Sequence, residues 1–279
     1  MIFLGVLLGA SLFTAIGSYL DKYLVNLGIS RDDYFYYMCL SMLPFTLLMM
    51  FFEYISNTFY FHLNLIPVLL LIVAMFLRYY KQHTIVGYLK YLNPYEASAY
   101  LSLGLIIAFI IDCVLGLEKL TILSTISVFL TVFGVFLLSD TRLKITQLKR
   151  DLLIKIFTSL CLGYVTHFIL QYWSSATFMF VMNLFLTLLF SKKYSFSYHK
   201  EHKKIITWFF VQQIFGFFTL YLGNFLLINS VSLSYYVKPV SFVFVVILTF
   251  FLHNCTDKLT IKKILAIFVI AIGLILINY

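Results

Sequence analysis

Lys238 stands immediately before Pro239 within a long apolar stretch, where few charges are tolerated. A proline lacks a backbone donor, so a carbonyl of the preceding turn is left free for a ligand or water. Ser234, Lys238 and Ser241, spaced by four and three, share one face of a helix. An ammonium on that face could hold an anionic group. It could also snorkel to nearby headgroups, because it lies about one turn inside the stretch. Arg78 and Lys81 form a second cationic pair, with Gln82 beside them. Arginine suits two-point contact with a carboxylate or phosphate. If a helix runs to Leu89, Arg78 lies near its middle and shares a face with Lys81 and Gln82. If the helix stops at Leu77, the pair is only a basic flank, although 13 residues from Leu65 make a short span.

Softer polar stripes accompany these cations. Gln213 and Asn224, eleven residues apart, share a helical face, as do Tyr164, His167 and Gln171, and likewise Ser11, Thr14 and Ser18. Such stripes serve helix packing as readily as ligands. Asp112 is the carboxylate deepest in an apolar stretch, and with His167 it is the expected place for proton coupling. Glu96, at a helix start, suits the N-terminal dipole. His199 and His202 have a metal-like spacing, but on a lysine-rich segment without a third ligand a solvated loop is expected. Cys39, Cys113, Cys161 and Cys255 stand singly, so neither a metal site nor a disulfide framework is indicated. Asn254-Cys255-Thr256 matches a glycosylation acceptor, expected to stay unmodified on the cytoplasmic side.

The elements that must position these residues follow from composition. Of the 279 residues, 62% are hydrophobic and 11% charged, whereas soluble domains have ~45–50% and ~25%. That excess cannot be hidden within a soluble globule, so lipid surrounds most of the chain. A soluble enzyme, a disulfide scaffold and a disordered chain are excluded. Apolar runs of bilayer length predict ten transmembrane helices near residues 2–20, 34–52, 65–89, 95–115, 122–139, 152–173, 176–190, 205–228, 234–252 and 261–277. Period-2 alternation is absent, which excludes a membrane barrel. The first span lacks a basic leader and a cleavage site, so a retained helix is expected. Seventeen of the 20 basic residues fall on or near connections that follow odd-numbered spans, with Arg78, Lys81 and Lys90 counted at or near the third. Basic connections stay cytoplasmic, which predicts both termini outside a plasma-membrane protein.

A shift of 139 residues lays Glu118-Lys119-Leu120-Thr121 on Asp257-Lys258-Leu259-Thr260, and Gly134 on Gly273. The expected organisation is therefore a five-helix repeat over residues 1–139, a basic linker over 140–151 and a second five-helix repeat over 152–279. An odd helix number inverts the second copy relative to the first, an arrangement that transporters use for alternating access around a midplane site. A duplicated bundle without transport is the plain alternative.

Gly116-Leu117-Glu118-Lys119-Leu120-Thr121 followed by Gly134-Val135, Asp257-Lys258-Leu259-Thr260 followed by Gly273-Leu274, and Gly87-Tyr88-Leu89-Lys90-Tyr91 carry a family resemblance. The chain resembles the drug/metabolite transporter superfamily in its EamA-like branch. It departs from that pattern at Asp257, at the extra Leu117 and in the positions of Pro94 and Pro239. The resemblance implies a substrate cavity between the halves, lined by the first, third and fourth helices of each, with no cofactor. The function expected is a secondary carrier for a small anionic or zwitterionic metabolite, driven by a coupling ion or by exchange, because no GxxxxGK[ST] motif is present. Its partners would be that substrate and the bilayer, with no nucleic acid. The substrate-binding candidates are Lys238, Arg78, Lys81, Ser234, Ser241, Gln213, Asn224 and His167, with Asp112 for proton coupling. An exporter of organic cations held by aromatic faces and Asp112 is the alternative carrier. A lipid-group transferase is the alternative enzyme, although no interfacial cluster of His, Asp or Glu stands out.

Overall fold

The computed structural model describes residues 2–92, 94–138, 150–252 and 261–276. In chain order the helices are α1 (Ile2–Asn26), α2 (Arg31–Ile55), α3 (Leu65–Leu89), α4 (Pro94–Leu101), α5 (Leu103–Leu115), α6 (Ile122–Leu138) and α7 (Arg150–Ile169). They continue with α8 (Ser175–Phe190), α9 (Phe196–Glu201), α10 (Lys203–Leu227), α11 (Val231–Tyr235), α12 (Val237–Leu252) and α13 (Ile261–Leu276). No β-strand occurs among the described residues. Eight segments are long and apolar enough to cross a membrane; α6 is apolar but shorter, at 17 residues, and α13 has 16. Val114 and Ile122 at 80% exposure, and Ile261 at 78%, point away from the bundle, which water would oppose and lipid permits. The chain is an all-helical, multi-pass membrane protein.

Local signals explain where the helices start and stop. The first helix continues past residue 20, because nothing breaks it before Gly28, whose φ of 80° leaves the helical region. Asp21 and Lys22 are thereby carried into α1. Ser30 caps α2, its side chain accepting from the Asp33 backbone N–H at 3.1 Å, and Asp32 and Asp33 occupy the positive end of the helix dipole. Helix α3 runs unbroken through Arg78 and Lys81 to Leu89, so the pair lies within the helix rather than beyond its end.

Two expected single spans are broken. Residues 95–115 form α4 and α5, separated at Ser102, which bonds back to Ser98 O through its hydroxyl at 2.9 Å. The Leu105 N–H then bonds Ser102 O at 3.1 Å, tightening the turn. The ninth span divides into α11 and α12 at Tyr236, where Pro239 can neither donate to nor pack against the residue four positions back. Residues 140–149 of the expected linker and the Asn254-Cys255-Thr256 and Asp257-Lys258-Leu259-Thr260 segments lie outside the described residues, while Arg150 and Asp151 begin α7.

The helices pack in recurring pairs: α1 with α10, α3 with α7, α2 with α8, and α6 with α13. Helix α1 also lies on α12, while α4 and α5 meet α12 and α11. Helices α6 and α13 run antiparallel in close contact through glycines. A β-carbon at Gly134 would lie 3.1 Å from both Ala266 O and Ile270 N, and one at Gly273 would lie 2.9 Å from Ser127 O and 3.0 Å from Thr131 N. Small residues admit such backbone approach, which supplies much of the packing energy available inside lipid.

Candidate functional site

A cavity of about 140 Å³ lies where α1, α3, α7, α8, α10 and α11–α12 converge. Three cations line it: Arg78 and Lys81, one turn apart on α3, and Lys238 from the start of α12. Arg78 is 2% exposed, and its Nε and Nη2 have no hydrogen-bond partner. Neither Lys81 nor Lys238 forms an ion pair within 4 Å of a carboxylate among the described residues. Lys155 on α7 stands behind them, its ammonium donating to Lys81 O at 3.3 Å. Lys81 and Lys155 are each within electrostatic reach of the other and of both Arg78 and Lys238. Like charges gathered inside a membrane protein are costly, at ~2.5–3.5 kcal/mol each on insertion scales, and call for a compensating anion.

The remaining walls are mixed. Thr14, Ser159, Thr166, Thr219 and Asn224 offer hydroxyl and amide groups, and Phe178, Met179, Met182 and Leu220 supply apolar surface. The Asn224 amide donates to Ser175 Oγ at 2.8 Å, fixing its orientation. An anionic head with a polar or partly apolar body would find donors for the one and contact surface for the other.

Of the residues expected from sequence, Lys238, Arg78, Lys81, Ser234 and Asn224 line this cavity. Ser241 does not; its hydroxyl donates to Lys238 O at 2.9 Å, supporting the backbone next to Pro239. His167 is buried beyond the wall, where Nδ1 donates to Leu227 O at 2.6 Å. Gln213 donates to Gln212, which in turn donates to Asp21 Oδ1 at 2.7 Å, so Gln213 reaches the site only through its neighbour. Asp112 is fully buried and lies outside the cavity, accepting from the Tyr164 hydroxyl at 2.7 Å and from the Ser232 N–H at 2.6 Å. That carboxylate caps the start of α11. His199, in α9, and His202, at its end, are partly buried, and their rings pack with Tyr36, Tyr37, Tyr194 and Tyr198.

Asp21 is the group that sequence reasoning missed. It accepts from Tyr34 Oη at 2.6 Å and from Gln212 at 2.7 Å, and it lies within electrostatic reach of Lys155 and Lys238. An end to the first span at residue 20 had put it in a loop. The missing stop signal before Gly28 was the available clue. The chain matches no protein-family model and no curated protein.

Proposed function

We propose that the chain is a secondary carrier that moves a small organic anion, or a zwitterion held by its anionic group, by alternating access. The observation that carries this reading is the gathering of Arg78, Lys81 and Lys238 around one cavity, with two nitrogens of the buried Arg78 unpartnered. A substrate anion is the natural complement of that excess charge. The same charges count against an organic-cation exporter, which would have to bring a cation beside them.

The packing supports two five-helix halves, the first being α1 to α6 and the second α7 to α13. Exchanging the halves turns the α3–α7 pair into α10–α1, and returns α2–α8, α6–α13 and α4/α5–α11/α12 to themselves. A ten-helix bundle with inverted repeats accounts for that pattern and for the antiparallel glycine contact. With the basic connections on the cytoplasmic side, the cavity lies between mid-membrane and the outer surface. Contacts from Lys22 to Leu89 O, from Tyr34 and Gln212 to Asp21, and from Arg31 to Asp151 close the inner half. This arrangement supports an outward-facing state in a plasma-membrane carrier with both termini outside.

The reading is tested by counterflow in proteoliposomes with radiolabelled succinate, a sugar phosphate, glucose and tetraethylammonium. Exchange of an anion, without exchange of glucose or tetraethylammonium, is expected. Movement of the cation alone would replace this reading with the exporter.

A further inference from the structure

We infer that Asp21 is the proton-binding site of this carrier and that it couples one proton to one substrate anion; the inference rests on the anion-carrier reading above. The argument begins with charge. Arg78, Lys81, Lys155 and Lys238 form one cationic group, and among the described residues Asp21 is the carboxylate facing it. The two buried carboxylates among the described residues are already committed. Asp112 accepts the Ser232 N–H, and Glu53 accepts the Ala176 N–H at 3.2 Å and the Ser174 hydroxyl at 2.6 Å. Each holds the start of a helix, with both of its oxygens engaged in hydrogen bonds.

Asp21 is held differently. Its Oδ1 accepts from two uncharged donors, the Tyr34 phenol and the Gln212 amide, and no hydrogen bond engages Oδ2 among the described residues. The groups facing it are Tyr34 on α2, Tyr88 on α3, Lys155 on α7, Gln212 on α10 and Lys238 on α12. Helix α4, which also touches α1, carries Glu96 in its first turn. On α1 itself, Lys22 points to the carbonyls of Leu89 and Leu92.

In the empty carrier the Asp21 carboxylate offsets part of the cationic charge. An arriving anion takes over that role, and the carboxylate then loses the attraction that kept it ionised. A proton from water forms an O–H bond with it, and the same bond breaks to water once the inner contacts around Asp21 have opened. The empty deprotonated state and the loaded protonated state carry the same net charge, whereas anion alone or proton alone leaves the cluster one charge out of balance. By linkage, the anion strengthens proton binding by the factor by which the proton strengthens anion binding.

The experiment uses purified full-length protein in detergent, with benzoate and methanesulfonate as probes because both are monoanions of constant charge over about pH 6 to 8. Binding is read by thermal shift and calorimetry, and proton uptake by an indicator dye in weak buffer. The expected result is uptake approaching one proton per bound anion, with affinity falling toward ~10-fold per pH unit above the carboxyl's titration. Asp21→Asn should bind the anion with little pH dependence and without uptake, Asp21→Glu should retain both, and Asp112→Asn should leave both unchanged. An anion that binds without proton uptake, or uptake that persists in folded Asp21→Asn, overturns the inference and leaves the carrier reading standing. If Asp21→Asn does not fold, a wild-type affinity independent of pH overturns it equally. Failure of both anions to bind removes the carrier reading, and the inference with it.

Discussion

Gly134 and Gly273 make the same contact twice, each against the other's helix. Gly134 faces the Ala266 carbonyl and the Ile270 amide, while Gly273 faces those of Ser127 and Thr131. Residues 127, 131 and 134 become 266, 270 and 273 on adding 139, the shift that also aligns the two charged turns. The proposed inverted repeat would make each of these contacts the image of the other.

Gly134→Val and Gly273→Val should therefore destabilise the fold by similar amounts, about 1–3 kcal/mol each. Gly17→Ala, at a position with nothing within 4 Å of the added carbon, should be close to neutral. Melting temperatures in detergent check this. A large loss from one valine and none from the other would show that the contact is not shared equally.

Asp112 is predicted to act in stability and not in coupling. Its removal in Asp112→Ala would leave the Ser232 N–H without its acceptor and the Tyr164 hydroxyl with Ala108 O alone, at 3.0 Å. A cost of about 1–3 kcal/mol follows, with the affinity of the remaining folded protein for an anion unchanged. A stable variant with altered pH dependence of transport would restore Asp112 to the coupling role expected from sequence.

The all-helical, multi-pass character was legible in the sequence, because apolar runs are properties of single segments. Lys238, Arg78 and Lys81 were legible for the same reason, a charge in an apolar stretch being visible without knowing its neighbours. That Lys81, on α3, and Lys238, on α12, line one cavity was not, since tertiary packing alone joins those helices. Asp21 was hidden by a helix end expected at residue 20, six residues before the observed end at Asn26. Asp112 stood out as a buried carboxylate, yet the sequence does not show that its partner is the backbone N–H of a short helix 120 residues away.

The Arg31–Asp151 ion pair, at 3.0 Å, joins α2 to α7 on the side of the basic connections. Both groups are partly exposed, so the pair contributes little stability and serves better as a marker of closure. Joining Arg31→Cys and Asp151→Cys with a short reducible cross-linker, in a background free of the native cysteines, should stop counterflow, and reduction should restore it. Undiminished counterflow in the linked protein would mean that this face need not open.

Glu118, in the turn between α5 and α6, gives a pH signature outside the membrane. Burial raises its carboxyl above the usual value, the hydrogen bond from Ser230 at 3.0 Å opposes the rise, and the Asp112 charge adds to it. A carboxyl raised on folding binds its proton more tightly in the folded state. Stability from this group is therefore gained as pH falls through the window between the unfolded and folded values, and lost as pH rises through it. Glu118→Gln should narrow the difference in melting temperature between about pH 5 and about pH 7. An unchanged difference would show that the group does not titrate in that window.

The central claim is that the intramembrane cations hold the substrate's anionic group, and Lys238 tests it most directly. Lys238→Met keeps the apolar stem and removes the charge. Loss of one charge-assisted contact, at ~1.5–3 kcal/mol, weakens anion binding roughly 10- to 150-fold. The melting temperature should hold or rise, because a repelling charge leaves the cluster formed with Lys81 and Lys155. The measurement is the calorimetric Kd of the wild type and of Lys238→Met for the anion that supports counterflow. A loss of that size in a variant at least as stable as the wild type is the predicted result, and an unchanged Kd would contradict the account.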